Sequence, residues 1–285
     1  MAEKFTVTQE TTLLPYLFTT LSTWPKKTVK QRLQGRSVAV NGTVTTQHDA
    51  SLKVGDVVEV GVTQKASTQD KTPEKLHILY QDKEVIAINK PAGLLSVSTE
   101  SENKNHALAL LRHQLSRGKN QVKLWPVHRL DRDTSGILLF ATSKELREAV
   151  MDKWGISQKT YLAVVEGIPK AENGSINEPL RMDEKLYRMH VGKHKDAKPA
   201  LTHYRLLKST TTRTLLEVSI ETGRQHQIRA HMSWLGHPIV GDERYGKKGD
   251  KMGLHAMRLK FVHPVTKKEI CLEVDAPREF YGLLD

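Results

Sequence analysis

Residues 128–136 read His128-Arg129-Leu130-Asp131-Arg132-Asp133-Thr134-Ser135-Gly136, which places two carboxylates, two guanidinium groups and an imidazole in one short polar run. Carboxylates and imidazoles are the side chains most often used as nucleophiles and general bases. Directly after the run comes Ile137-Leu138-Leu139-Phe140-Ala141, unbroken and apolar. A run of that kind, bounded by turn residues, predicts a strand buried on both faces. Reactive groups on a loop over such a strand are set on a stiff support, as chemistry requires. A second polar cluster lies at Thr222-Gly223-Arg224-Gln225-His226-Gln227-Ile228-Arg229. Thr222 and Gln225 have capping-box spacing, so a helix is expected to open there, with Ile228, Met232 and Leu235 inward and Gly236 ending it. Backbone N–H groups at such a start, beside Arg224, His226 and Arg229, suit a phosphate or a carboxylate.

Other chemistry-bearing residues point nowhere specific. His190 and His194 are four apart, but no glutamate follows in the order of a helical zinc site. They sit in a lysine-rich stretch, so solvent or phosphate is their expected neighbour and no metal is expected. Trp125 and Trp234 are read as packing residues. The single cysteine, Cys271, excludes an intrachain disulfide and fits a reducing compartment. It lies where Ile270, Leu272 and Val274 alternate as one strand face, and is read as structural.

The elements that must position these groups come next. With 285 residues and 38% hydrophobic content, the chain has room for two domains and a real core. No window offers the roughly 20 apolar residues of a membrane span. The N-terminus lacks the apolar stretch of a signal peptide, so a cytoplasmic protein is expected. The net charge of +12 favours a polyanionic partner, nucleic acid first. At 6% aromatics, a broad surface of base-stacking rings is not suggested. A monomer is expected.

Residues 11–62 read as a small module. Leu13, Leu14, Leu17, Phe18 and Leu21 recur at helical spacing, and a second helix is expected from Thr28 to Gln34, closed by Gly35. That helix carries Lys30 and Arg32, with Lys26 and Lys27 before it and Arg36 after it. Ser37–Asn41 and Val57–Val60 read as strands, the first running into an Asn41-Gly42 turn. Residues 63–75 have linker composition. From residue 76 to 285, strand-like runs at Leu76–Tyr80, Val85–Asn89, Ile137–Ala141, Leu162–Val165 and Leu215–Ile220 dominate. Amphipathic helices are expected over His106–Arg117, and after Ser143 with Leu146, Val150 and Trp154 on one stripe. Arg181–Lys198 is dense in Lys, Arg and His and reads as an exposed basic hairpin or loop. The pattern predicts an α+β fold with a mixed, largely antiparallel sheet, together with the small α+β N-terminal domain.

These residues carry a resemblance. The run from His128 to Gly136 resembles the signature of the RluA-type RNA pseudouridine synthases. Asn89-Lys90-Pro91-Ala92-Gly93 is similar to that family's first motif, and Lys159-Thr160-Tyr161 to its tyrosine motif. Lys198-Pro199-Ala200, Thr222–His231, Leu235–Pro238, Gly241-Asp242, Tyr245-Gly246 and Leu254-His255-Ala256 follow in the family's order. The matches span residues 76–280. One departure is Ser96-Val97-Ser98-Thr99, where many relatives carry a His-Pro pair; it is expected to bear on substrate contacts more than on the reaction. Residues 11–62 resemble the small RNA-binding domain first named from a ribosomal small-subunit protein, the S-four domain.

The resemblance implies a reaction. The bond from uracil to ribose is broken, the base turns, and it is rejoined through ring carbon five. Asp131 is implied as the catalytic carboxylate, by attack on the anomeric carbon, addition to the ring, or removal of a ribose proton. On composition alone Asp133 has the same claim, and the family register selects Asp131. A carboxylate taken out of water tends to gain a proton, and a fixed cation opposes that; Arg229 matches the family's cation. Tyr161 is implied to stack on the target base, and Arg129 to fill the gap left by the flipped uridine. His128, Arg224, Lys26, Lys27, Lys30, Arg32 and Arg36 are expected to touch RNA. The reaction is a redox-neutral isomerisation, so no cofactor is expected. Ribosomal RNA is the expected substrate, with transfer RNA second. The competing readings are a catalytically silent RNA-binding or ribosome-assembly factor on the same fold, and a glycosylase that frees uracil.

Overall fold

The computed structural model describes residues 3–34, 37–61, 75–99, 102, 105–116, 121–184 and 187–285. Two compact units divide the chain, Met1–Lys71 and Thr72–Asp285. Arg36, Gly35 and most of the expected linker lie outside the described residues.

In the first unit, helices Leu13–Thr20 and Lys26–Gln34 bury Leu13, Leu17, Val29 and Leu33 against strands Val38–Val40 and Val57–Val60. The second helix starts two residues earlier than its apolar spacing indicated, so Lys26 and Lys27 are helical; with Lys30 and Arg32 they lie exposed, while Val29 and Leu33 are buried. Asn41 and Gly42 have φ of 50° and 78°, the left-handed pair of a tight hairpin joining Val38–Val40 to Thr43–Val44. Strand Glu3–Thr6 pairs with Val57–Val60, so this sheet reaches back before residue 11.

The second unit is built on a ten-stranded sheet. Its main path runs Asn173–Ile176, Thr202–Ser209, Arg213–Ile220, Gln158–Glu166, Leu254–Val262, Ser135–Ala141, Val85–Lys90, His77–Gln81. Neighbours are antiparallel except at the centre, where Ser135–Ala141 meets Leu254–Val262 in parallel, through Ser135–His255 and Gly136–Ala256. Every residue of Ser135–Ala141 is buried, as its unbroken apolar run indicated. Gly136 is required at the close approach: its φ is 111°, and a Cβ there would stand 2.2 Å from the Ala256 carbonyl oxygen. The chain therefore leaves the charged loop and enters the middle of the sheet without room for a side chain.

Helix Lys144–Met151 is capped by Ser143 Oγ, which accepts from Leu146 N at 3.2 Å. It stops before Trp154, which lies in a separate short turn, Trp154–Ile156. The expected Arg181–Lys198 hairpin is present as Leu180–Asp183 paired with Arg188–Val191. It has more core than its composition indicated: Leu180 and Met189 are buried with Ala200, Ala230 and Tyr245. Cys271 is exposed on strand Glu269–Glu273. Among the described residues no helix is long and apolar enough to cross a membrane.

Candidate active site

The loop before Ser135 is tied down on both sides of Asp131. Ser96 Oγ donates to Leu130 O at 2.7 Å and accepts from Leu130 N at 2.9 Å. Lys90, with no exposed surface, donates from Nζ to Pro91 O at 2.9 Å, Leu94 O at 2.7 Å and Arg132 O at 2.9 Å. The residues before and after the aspartate are thus fixed by side chains from residues 90–96. The Ser96–Thr99 departure, expected to bear on substrate contacts, contributes through Ser96 to loop positioning.

Asp131 opens onto a pocket lined by Arg129, Tyr161, Arg224, His226, Arg229 and Leu254, among others. Arg229 Nη1 donates to Asp131 Oδ2 at 2.8 Å. The other edge of the same guanidinium is held in a two-point pair, Nε to Asp242 Oδ2 at 2.6 Å and Nη2 to Asp242 Oδ1 at 2.8 Å. Asp242 is fully buried and accepts further from Arg244 N at 3.1 Å and Tyr245 N at 3.2 Å. Burial alone would loosen the guanidinium's proton; the Asp242 hydrogen bonds and the charges of Asp242 and Asp131 more than reverse this, so its pKa is raised. The arginine is a permanent cation fixed in place before any substrate arrives.

The helix behind Arg229 begins later than the capping-box spacing indicated. It runs Gln227–Trp234, and its cap, His226, has φ 50° and makes no side-chain capping bond. Thr222 Oγ1 instead donates to Gln227 Oε1 at 2.7 Å, and that oxygen also accepts from Arg224 N at 3.0 Å. His226 Nε2 stands 3.8 Å from Asp131 Oδ2, while its Nδ1 and the Tyr245 hydroxyl are 3.1 Å apart. Burial, chiefly, pushes the His226 pKa down to about 4. Tyr161 is half-buried in the pocket wall, and burial together with the Asp131 charge pushes its phenol well above the usual tyrosine range, so it meets a substrate protonated.

The other expected residues separate. Arg129 and Arg224 line the pocket with exposed side chains; Arg224 Nε also donates to Pro199 O at 3.1 Å. Asp133 is exposed and does not line the pocket. His128, expected to touch RNA, stacks its ring on Trp154 at 5.2 Å, and its Nε2 accepts from Leu139 N at 3.2 Å. It braces the buried strand and does not line the pocket. Among the described residues His190 and His194 share no ligand cluster; they face Asp183 at 3.3 Å and Asp196 at 3.6 Å. Asp82, Glu84 and His263 have ligand-like spacing. His263 Nδ1 accepts from Val265 N and Thr266 N, which leaves its proton on Nε2, 3.0 Å from Asp82 Oδ2. Both ring nitrogens are therefore in use within the chain. Asp242 and Lys90 had no role assigned from sequence, and Ser96 none in positioning the loop. Asp242 and Lys90 lay inside motifs whose letters matched, but only contacts far apart in the chain give them work.

A carboxylate, a fixed guanidinium and a protonated tyrosine thus face one pocket, on a basic chain with a mixed sheet. The family model for RNA pseudouridylate synthase matches residues 84–234. Ribosomal large subunit pseudouridine synthase D of Buchnera aphidicola is 30% identical, the match covering 90% of this chain and 86% of that protein. tRNA pseudouridine synthase C of Vibrio vulnificus is 34% identical over 74% of this chain and 94% of its own. The structure of human RNA Pseudouridylate Synthase Domain Containing 4 superposes with a TM-score of 0.60 at 28% identity, covering 73% of this chain and 91% of that one. The chain belongs to the RNA pseudouridine synthase family and is an isomerase acting on RNA. The reading as a silent binding factor is not favoured.

Proposed function

We propose that Asp131 is the carboxylate that isomerises a uridine flipped out of RNA, that Arg229 holds it, that Tyr161 stacks on the base, and that the substrate is ribosomal RNA. The observation that carries the first part is the 2.8 Å contact of Arg229 Nη1 with Asp131 Oδ2 inside the pocket. The bond from N1 of uracil to the ribose breaks, a bond from carbon five forms, and the proton of carbon five is lost to solvent while N1 gains one. Atoms balance without a cofactor. The carboxylate starts this by one of its three acts, on the sugar or on the ring. Arg129, exposed at the pocket mouth, fills the stack that the uridine leaves, offsetting the few kcal/mol that flipping costs.

The ribosomal assignment rests on the N-terminal unit. It holds 71 of 285 residues, so a match covering 90% of the chain, as with the ribosomal enzyme, runs into it, whereas one covering 74%, as with the transfer-RNA enzyme, need not. We take residues 11–62 as an S-four-like RNA-binding domain, gripping phosphates with Lys26, Lys27, Lys30, Arg32 and Arg36, and residues 76–285 as the catalytic domain. The test is tritium release from transcripts labelled at carbon five of uridine. Release from ribosomal but not transfer RNA, absent in Asp131→Ala, is expected. Undiminished release in that variant rejects the catalytic assignment; release from transfer RNA alone rejects the substrate.

A further inference from the structure

Tyr187 stands just before strand Arg188–Val191 with a strained backbone. Its φ is 48°, a left-handed backbone that bulky side chains rarely adopt. Strain of this kind usually persists where the surroundings hold it, and it clusters at ligand clamps. Yet the residue is 52% exposed, so burial of the ring recovers only part of the strain. The surroundings hold it by other means. Arg244 Nη1 donates to Tyr187 O at 2.6 Å, and the same guanidinium lies over the Tyr187 ring, 5.3 Å from its centroid. The ring also meets His226 edge-on, with centroids 6.2 Å apart and planes at 78°.

His226 is pocket wall, 3.8 Å from Asp131. Tyr187 is therefore a ring presented to solvent one side chain outward from the proposed catalytic carboxylate. Cations stand beside it and on the pocket it adjoins: Arg188, next in the chain, lies over the Tyr245 ring at 5.0 Å, Arg244 is held as described, and exposed Arg224 lines the same pocket as His226. An exposed aromatic ring among arginines is the arrangement that binds unpaired nucleotides, the ring taking the base and the cations its phosphates.

We propose that Tyr187, backed by Arg244, is a stacking platform for the unpaired base next to the target uridine, strongest for a purine because a larger ring system overlaps more. This rests on the assignment of the Asp131 pocket to a uridine in RNA. It adds a subsite that holds the neighbouring nucleotide while the uridine is turned out.

The experiment uses the full-length chain, its Tyr187→Gly and Tyr187→Phe variants, and single-stranded RNA nonamers carrying 2-aminopurine on one or the other side of a central uridine. Glycine removes the ring and relieves the backbone, so Tyr187→Gly is expected to keep or raise the thermal midpoint. The wild type is expected to quench 2-aminopurine on one side of the uridine. Tyr187→Gly is expected to lose that quenching and to bind about tenfold more weakly, while Tyr187→Phe behaves as wild type. In turnover on ribosomal transcripts, KM carries the loss and kcat does not. Equal quenching and equal KM in wild type and Tyr187→Gly overturn the platform, as does a wild type that quenches on neither side. Side-specific quenching without any tritium release leaves the platform standing and removes the uridine-isomerising assignment of the pocket.

Discussion

The ammonium of Lys90 lies 2.9 Å from the carbonyl oxygen of Arg132, one residue past the proposed catalytic aspartate, and two further carbonyls complete its surroundings. Three acceptors match the three hydrogens of a charged lysine. Burial works against that charge and pushes the pKa down to about 7, partly opposed by the charges of Asp133 and Asp131. An unfolded lysine titrates near 10.4. Between about pH 7 and that value the unfolded chain holds a proton that the folded chain has released, so this group makes stability rise with pH; below pH 7 both states are charged and the slope vanishes. The slope is at most about 1.4 kcal/mol per pH unit. Urea unfolding at several pH values should show Lys90→Met losing this rise relative to wild type. Parallel curves for the two proteins reject the depressed lysine.

Ser96 completes the bracket from the other side, and its removal has a separate signature. In Ser96→Ala the buried Leu130 N–H and C=O both lose their partner. Each unsatisfied buried group costs about 1–3 kcal/mol, so a loss in that range is expected after partial relaxation. The strain falls on the residue next to Asp131. Hence kcat should drop about tenfold, the change that a barrier increase of about 1.4 kcal/mol produces, with KM nearly unchanged. Steady-state tritium release checks this, and a variant changed only in KM contradicts the positioning role.

Arg229 serves two carboxylates, which changes what its loss does. Arg229→Leu strands the half-buried Asp131 and the fully buried Asp242. Breaking a buried pair by removing one partner costs about 3–5 kcal/mol. Destabilisation of that order is expected, together with loss of tritium release. Adding Asp242→Asn removes the stranded charge and should restore much of the stability but none of the activity. Thermal unfolding with tritium release separates the two effects. Activity recovered in the double variant refutes the Asp131–Arg229 pairing.

These relationships mark where the sequence was legible. Apolar runs identified the central strand at Ile137–Ala141 and the Val85–Asn89 strand beside it, because a strand buried on both faces leaves an unbroken signal. The resemblance brought Asp131 and Arg229 together across 98 positions. Local rules failed where a distant partner intervened. The Thr222–Gln225 spacing indicated a helix start, but Gln227 Nε2 donates to Leu201 O and Thr202 Oγ1, 26 and 25 positions away, and the helix opens later. His128 carried the polarity of its loop, yet Trp154 draws its ring inward. The second carboxylate on Arg229 and the lysine under Arg132 are visible only as contacts, and no period or composition announces them.

Phosphate contacts should make binding fall with salt, by a slope of about 0.7 in log Kd per log salt for each phosphate neutralised on a single strand and about 0.9 on a duplex. Lys26, Lys27, Lys30 and Arg32 are exposed along one helix of the first unit, with Lys26 over Phe18 at 5.7 Å and Arg32 over Trp24 at 5.8 Å. Replacing all four by glutamine should flatten the slope by up to about 3 on a single strand or about 3.6 on a duplex, and weaken binding most at low salt. The pocket belongs to the Thr72–Asp285 unit, so kcat at saturating RNA should hold. Fluorescence anisotropy on a labelled ribosomal transcript, from low to physiological salt, reads the slope directly. An unchanged slope means that these four side chains touch no phosphate, and the basic surface that grips RNA then has to be sought in the unit that carries the pocket.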